Sequence, residues 1–423
     1  MKFKKKILKN GLKTIIVQMK DNPTVTVLVL VETGSKYEIK EKNGISHFLE
    51  HVCFKGTEKR KTAKDIMVEL DGLGCQNNAF TNQEFTGYYA KGKATNFNKM
   101  LDVISDVYLN PTLKEQELER EKGVIIDEIN LNEDMPAQKA QMLFINLVYG
   151  DQPAGWPIRG EKEIIRSISR EDFLEYRKKH YVAEATTVVI SGNVDTKEAF
   201  REVENKFKSI STDKKVGKKK TKDSQNGPMV GLGFKETDQT HVVMGVRSFS
   251  LNDKRTPTVE VLASLLGGSM SSRLFQKVRE EMGVGYYVGS GNNTTTDTGC
   301  FTISCGVANN RAIEVVSAII KELETLKTQL VSEEELKKVK EYMVGTMYQS
   351  LESSLDLAWY YGLESIFRNK ILLPKDQEKL IRSVTAEEIR KIARKIFVEK
   401  NLNLAIVGPF KDEEKFKALL KIK

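Results

Sequence analysis

The chain has 423 residues, 40% hydrophobic and 30% charged, and its 67 basic against 58 acidic residues give a net charge of +9. Ordinary Gly and Pro counts and only four cysteines exclude collagen-like, disordered and disulfide-stapled classes. No apolar run approaches the roughly 18 residues of a membrane-spanning helix, so no membrane partner is expected. The start, M-K-F-K-K-K-I-L-K-N-G, is basic without the apolar core of a signal peptide, and Cys53, Cys75, Cys300 and Cys305 form no CxxC pair. Together these point to a cytoplasmic protein with reduced thiols.

In chain order, residues 13–18 and 24–32 read as adjacent strands, 62–70 as a helix and 83–91 as a further strand. Helices follow over 96–108 and 114–132, the latter ending before Pro136. Residues 165–192 then present a helix and a short apolar strand ending in Gly192, and residues 381–408 repeat this at an offset of 216 without a gap. Eight of the 28 aligned positions are identical, and each copy opens with a capping box, Ser169-x-x-Asp172 or Thr385-x-x-Glu388. A period this long indicates a duplicated domain and not a solenoid. Between the copies, 240–246 and 300–306 read as strands, with helices over 256–266 and 332–347. The glycine-rich Gly267-Gly268-Ser-Met-Ser-Ser lacks the lysine of a phosphate-binding loop and reads as a helix end followed by a turn.

This pattern predicts an α+β protein of two homologous domains, each an antiparallel-rich sheet with helices packed on one face. The expected boundaries are 1–212 for the first domain, 213–228 for a linker and 229–423 for the second. The densest basic run, K-K-V-G-K-K-K-T-K at 214–222, lies in that linker without interleaved aromatics, so it reads as solvated and no nucleic-acid partner is expected.

Two of the four histidines fall within five residues, in His47-Phe-Leu-Glu50-His51. On a helix, positions i and i+4 project from one face, so both imidazoles can reach one metal ion. Glu50 borders that face, about 60° around from His47, and suits a general base toward a water that the metal acidifies. A catalytic zinc takes three protein ligands, and the acidic helix over 114–132 is the best source of the third. Glu121 and Glu128 share a face there, two turns apart, and the spacing alone leaves open which of them binds metal. His180 and His241 lie in segments with bland structural readings.

The inverted H-x-x-E-H motif is that of the inverzincins. The string G-I-S-H-F-L-E-H-V-C-F-K-G-T at 44–57 resembles the signature of the pitrilysin/insulinase family of zinc metallopeptidases, which includes bacterial processing proteases and the beta subunit of the mitochondrial processing peptidase. The resemblance implies one zinc ion per chain, held by His47, His51 and Glu128, the last lying 77 residues after His51. It makes Glu121 the outer residue that orients the ligands, and Glu50 the catalytic base. The segment Asn78-Ala79-Phe80-Thr81-x-x-Glu84 is similar to the family's edge strand, which implies that Asn78, Ala79, Phe80 and Glu84 meet the substrate backbone, with the extended peptide adding near 83–91. The loop Gly155-Trp-Pro-Ile-Arg-Gly160 also matches, although Gln152 stands where relatives often carry histidine. In the second half, 271–286 matches a segment whose Arg279 would position substrate and whose Tyr286 would donate to the oxyanion. The resemblance therefore implies an endopeptidase acting on unfolded peptides or flexible tails inside a closed chamber. It also implies assembly as a homodimer, or as a heterodimer with a related chain, in which one chain's zinc meets the partner's Arg and Tyr. A catalytically silent partner subunit is the alternative.

Overall fold

A computed structural model describes residues 3–368 and 370–422. The first half of the chain runs β1 (Phe3–Ile7), β2 (Lys13–Gln18), β3 (Thr24–Val31), α1 (Ile45–Cys53), α2 (Ala63–Gly72), β4 (Gln76–Thr81), β5 (Thr86–Lys93), α3 (Phe97–Leu109), α4 (Glu115–Asp134), α5 (Pro136–Tyr149), α6 (Lys162–Ser167), α7 (Arg170–His180), β6 (Thr186–Gly192) and α8 (Thr196–Lys206). The second runs β7 (Met229–Phe234), β8 (Gln239–Ser248), α9 (Thr256–Gly267), a π-helical turn (Phe275–Glu281), β9 (Gly285–Thr294), β10 (Gly299–Ala308), α10 (Ala312–Thr328), α11 (Glu333–Gln349), α12 (Ser354–Phe367), α13 (Pro374–Ser383), α14 (Ala386–Ile396), β11 (Asn403–Gly408) and α15 (Glu414–Lys417).

The chain forms two compact units. Unit 1 holds a six-stranded sheet in the order β1-β2-β6-β3-β5-β4, and unit 2 a five-stranded sheet in the order β7-β11-β8-β10-β9. The duplicated segments become α7–β6 and α14–β11, and both capping boxes form. Each repeat strand lies inside its sheet, parallel to one neighbour (β2 or β7) and antiparallel to the other (β3 or β8). The two-domain α+β architecture expected from the repeat is therefore present, each sheet mixed by one parallel pair.

The units do not coincide with the sequence halves. Unit 1 comprises 1–129, 156–219 and 349–372, and unit 2 comprises 130–155, 220–348 and 373–423. Each half thus gives one helix to the other unit. In unit 1, alternate residues of β3 divide between two layers. Val27, Val29 and Val31 face the main core under α1, α3, α7 and α8. Leu28 and Leu30 lie under α12, whose Gly362 sits so close that a Cβ there would meet Leu30 Cδ1 at 2.5 Å. Ser354, at the start of α12, shares its hydroxyl with Thr26 Oγ1 at 2.9 Å. In unit 2, Val242 and Met244 face the core beneath α9, α10 and α14, while Val243, Ala405 and Val407 pack under Ala140, Phe144 and Val148 of α5. Here the close approach falls on the strand, where a Cβ on Gly245 would meet Phe144 Cζ at 2.9 Å. Helices were expected on one face of each sheet; both sheets carry them on both faces, one layer broad and the other a single helix exchanged from the other half of the chain.

Two further expectations need correction. Residues 83–91 are not the edge strand: Asn82–Phe85 is the hairpin turn, closed by Asn82 N donating to Phe85 O at 2.8 Å, and β5 is interior. The edge is β4, whose Q-N-N-A-F-T is poor in β-branched residues and gives little strand signal. The basic run 214–222 forms no helix or strand, as expected of a linker, but it is not freely solvated. Lys215 and Lys218 reach Glu32 (2.8 Å) and Glu84 (3.1 Å) of unit 1, while Thr221 N and Lys222 N donate to Asp297 and Gln152 of unit 2.

Overpacking costs about 1–3 kcal/mol where extra carbons enter a filled core. Gly362→Val should lower stability by that order, measured as a shift of the urea midpoint without a change in slope.

Candidate metal centre

Helix α1 begins at Gly44, whose φ of 98° lies in the left-handed region and whose position leaves no room for a side chain, since a Cβ would meet Arg159 O at 2.7 Å. Gly44 offers no side-chain cap, and the cap comes from the buried Glu38. One carboxylate oxygen accepts from Gly44 N and Asn43 Nδ2, both at 2.8 Å, and the other from Ser46 N (2.9 Å) and Ser46 Oγ (2.6 Å). A carboxylate here satisfies orphan donors and faces the positive end of the helix. Phe48 (against Phe173 at 4.9 Å), Leu49 and Val52 anchor the apolar side of α1 in the core.

The opposite side presents His47, Glu50 and His51. The histidine rings lie 4.6 Å apart between centroids, and α4 brings Glu128 over them, its oxygens 3.6 Å from His47 Nε2 and 3.8 Å from His51 Nε2. The three ligand atoms lie within 4.8 Å of one another. Adjacent ligands of tetrahedral zinc are about 3.3 Å apart at bond lengths of ~2.0–2.1 Å, so a small contraction would close this set on one ion. Two imidazoles and a carboxylate are also a catalytic zinc donor set, and the residues fit the metal.

Glu121, two turns earlier on α4, accepts from His51 Nδ1 at 2.9 Å, which leaves Nε2 bare toward Glu128. Burial alone would raise the Glu121 carboxyl, but hydrogen bonds from His51 and Lys55 outweigh it and hold the group below its ordinary value. Burial likewise disfavours charge on His51, yet the Glu121 hydrogen bond and the neighbouring carboxylates leave its imidazole more basic than usual. His47 has no such support: Nδ1 is buried without a hydrogen-bond partner, and burial, with His51 and Arg159 nearby, pushes its pKa down to about 3. It is therefore a neutral imidazole, the form that binds metal. Glu50 is 9% exposed, and Thr81 Oγ1 donates to its Oε2 at 2.7 Å. Burial raises the Glu50 carboxyl above its usual value despite that hydrogen bond, the direction a general base needs.

A cavity of about 310 Å³ opens beside Glu50 and His51, walled by Phe54, Lys55, Met67 and the β4 residues Asn77, Asn78 and Ala79. Asn78 and Ala79 thus stand at the site. Phe80 turns to the other face of β4, its ring 4.0 Å from Trp359 of α12. Glu84 sits in the hairpin turn, 3% exposed, its Oε1 3.4 Å from Lys36 Nζ and 3.1 Å from Lys218 Nζ, and so braces the hairpin. Arg279 and Tyr286 belong to unit 2, outside the cluster, and are solvent-exposed: Arg279 lies on the π-helical turn over Phe275, and Tyr286, 57% exposed, is the second residue of the edge strand β9.

Sequence reasoning missed four residues of this neighbourhood: Glu38, Lys55, Thr81 and Arg159. Lys55 continues the i+4 row of His47 and His51, and Thr81 stood inside the quoted edge-strand motif. Arg159 stood inside the matched loop Gly155–Gly160 without a role assigned to it, and Glu38 acts across a loop, where spacing carries no signal.

The profile of the insulinase family (peptidase family M16) matches residues 13–162, and that of the peptidase M16 inactive domain matches residues 167–343. YmxG of Bacillus subtilis, named an uncharacterized zinc protease, is 34% identical over 96% of this chain and 98% of its own. A Rickettsia bellii protein of the same description is 34% identical over 95% and 96%. With both profiles matched and relatives aligned almost end to end, the chain belongs to the M16 (insulinase) family. Among solved structures, a protease from Helicobacter pylori superposes with a TM-score of 0.89 at 23% identity, covering 96% of this chain and 99% of that one. A chain of complex III2 from Candida albicans gives 0.86 at 17% identity, covering 99% and 100%, and is similar in fold. No helix among the described residues is long and apolar enough to cross a membrane.

Loss of a hydrogen bond to a charged group costs about 1.5–3 kcal/mol, and stranded buried donors add to it. Glu38→Ala should therefore destabilise the protein by about 3 kcal/mol or more in urea unfolding, with a matching loss of metal binding as α1 frays.

Proposed function

We propose that this protein is a zinc-dependent endopeptidase acting on extended, unfolded peptides. The observation that carries the reading is the convergence of His47, His51 and Glu128 within 4.8 Å, beside a buried glutamate whose carboxyl is raised. His47 and His51 through Nε2 and Glu128 through its carboxylate would hold zinc, and zinc when bound supplies polarisation of the scissile carbonyl and acidification of a water. Thr81 holds Glu50 Oε2, which leaves Oε1 to take the proton of the attacking water and return it to the leaving amine. The outer edge of β4 at Asn78 and Ala79 pairs with the substrate backbone, so the substrate must be extended. The apolar wall of Phe54 and Met67 takes a side chain next to the scissile bond.

Glu50→Gln should keep stoichiometric zinc and lose about 100- to 10,000-fold of turnover on a quenched unstructured peptide. Undiminished turnover would sink the reading. Wild-type protein that binds zinc but cleaves nothing would instead favour the silent partner subunit. We further propose that the protein works as a homodimer in which Arg279 and Tyr286 serve the partner's zinc. Mixing Glu50→Gln chains with Arg279→Ala chains should then restore part of the activity, and no recovery after verified subunit exchange would refute shared sites.

A further inference from the structure

Each carboxylate that α4 turns toward the histidines is also held by a cation from another element. Glu121 divides its oxygens, Oε1 to His51 Nδ1 at 2.9 Å and Oε2 to Lys55 Nζ at 2.6 Å. Glu128 accepts from Arg159 Nε at 3.3 Å through Oε2, the same oxygen that lies 3.6 Å from His47 Nε2. Neither cation lies within the five-residue H-x-x-E-H motif. We propose that Lys55 and Arg159 are positioning residues of the zinc centre, fixing the orientation of the Glu121 and Glu128 carboxylates toward the metal. This rests on the reading of the cluster as a zinc site.

The argument for Lys55 is geometric. With both oxygens of Glu121 claimed, the carboxylate cannot rotate, so Oε1 always meets His51 Nδ1 and the imidazole plane is set. The Glu121 side chain is 4% exposed, so little water can replace Lys55, and its loss would leave a buried oxygen unsatisfied. Lys55 also lies one turn beyond His51, just past the end of α1, so the helix that bears the ligand holds the partner of that ligand's own orienting residue.

Arg159 ties the two ligand-bearing helices together. Its loop is seated on the N-terminus of α1: Asn43 Nδ2 donates to Pro157 O at 3.1 Å, and a Cβ on Gly160 would meet Asn43 O at 2.3 Å. From that fixed backbone the guanidinium reaches Glu128 on α4. The arrangement sets the register of α4 against α1 at the height where the ligands meet.

Charge alone predicts the opposite effect. A lysine and an arginine near a dication repel it, so if they were bystanders their removal would tighten zinc binding. Positioning predicts weaker binding, and outer residues that orient metal ligands are typically worth 10- to 100-fold in affinity. The sign of the change therefore decides.

The test is zinc affinity of the full-length protein, measured by competition with a fluorescent chelator at fixed pH, for wild type, Lys55→Met, Lys55→Arg and Arg159→Gln. Thermal unfolding in excess chelator checks that each variant folds. Lys55→Met should bind zinc about 10- to 100-fold more weakly, with Lys55→Arg recovering much of the loss. Arg159→Gln, at a half-exposed pair, should lose up to about tenfold, and it carries the test if Lys55→Met does not fold. Unchanged or tighter zinc binding in folded Lys55→Met and Arg159→Gln overturns the proposal. A wild-type protein that takes up no zinc defeats the metal-site reading itself, a result distinct from normal wild-type affinity with unaffected variants.

Discussion

The carboxylate of Glu38 is the constraint on which the site rests. Helix α1 has nine residues, fewer than the roughly 12–15 at which an isolated helix is even marginal in water, and it must nevertheless hold two imidazoles and a glutamate in a fixed relation. Its first residue follows a glycine that can bend the chain but cannot cap it. Glu38 supplies the missing acceptors, and burial strengthens each of its four hydrogen bonds while making the carboxylate costly to leave without them. Burial pushes the Glu38 carboxyl above its usual value, and the donors from Ser46, Gly44 and Asn43 work against that rise. The same few residues also seat the Arg159 loop, so the start of α1 and the far wall of the site are built on one small patch of backbone.

From there the site is layered outward by charge. His51 is oriented by Glu121, and Glu121 by Lys55; Glu50 is held by Thr81 from β4. The hairpin that carries Thr81 is itself braced by Glu84 between Lys36 and Lys218, and Lys218 belongs to the segment through which the chain leaves unit 1. Part of the net positive charge thus goes into holding buried carboxylates, a use that a count of charges cannot reveal.

How much of this was legible in the sequence follows from the range of the interactions. The H-F-L-E-H face needs only local helical periodicity, and four histidines in the whole chain made it conspicuous. The duplication was visible because the α7–β6 and α14–β11 segments keep their apolar spacing and their capping boxes. The matched motif reached into β4, but peptide addition was expected one hairpin arm on, near 83–91, because Gln76–Thr81 is polar on an exposed edge whereas β5 has the expected strand composition. The resemblance offered Glu84 only as a contact to the substrate backbone, and tertiary structure alone shows two lysines closing over it. The exchanged helices were out of reach for a different reason: α5 and α12 are ordinary apolar-faced helices, and nothing in an apolar face names the sheet that it will cover.

That exchange bears on how the molecule is made. Ser354, where α12 begins, lies 303 residues after His51, and unit 1 cannot close the second face of its sheet without α12. At ribosomal rates of about 5–20 residues per second, roughly 15–60 s separate the synthesis of the second histidine from that of the helix that seals its scaffold. For that interval Leu28, Leu30 and Val189 form an open apolar floor on the nascent chain. The helix that completes unit 1 is thus encoded far downstream of the strands it covers, so the sheet that supports His47 and His51 stays open on one face until α12 arrives.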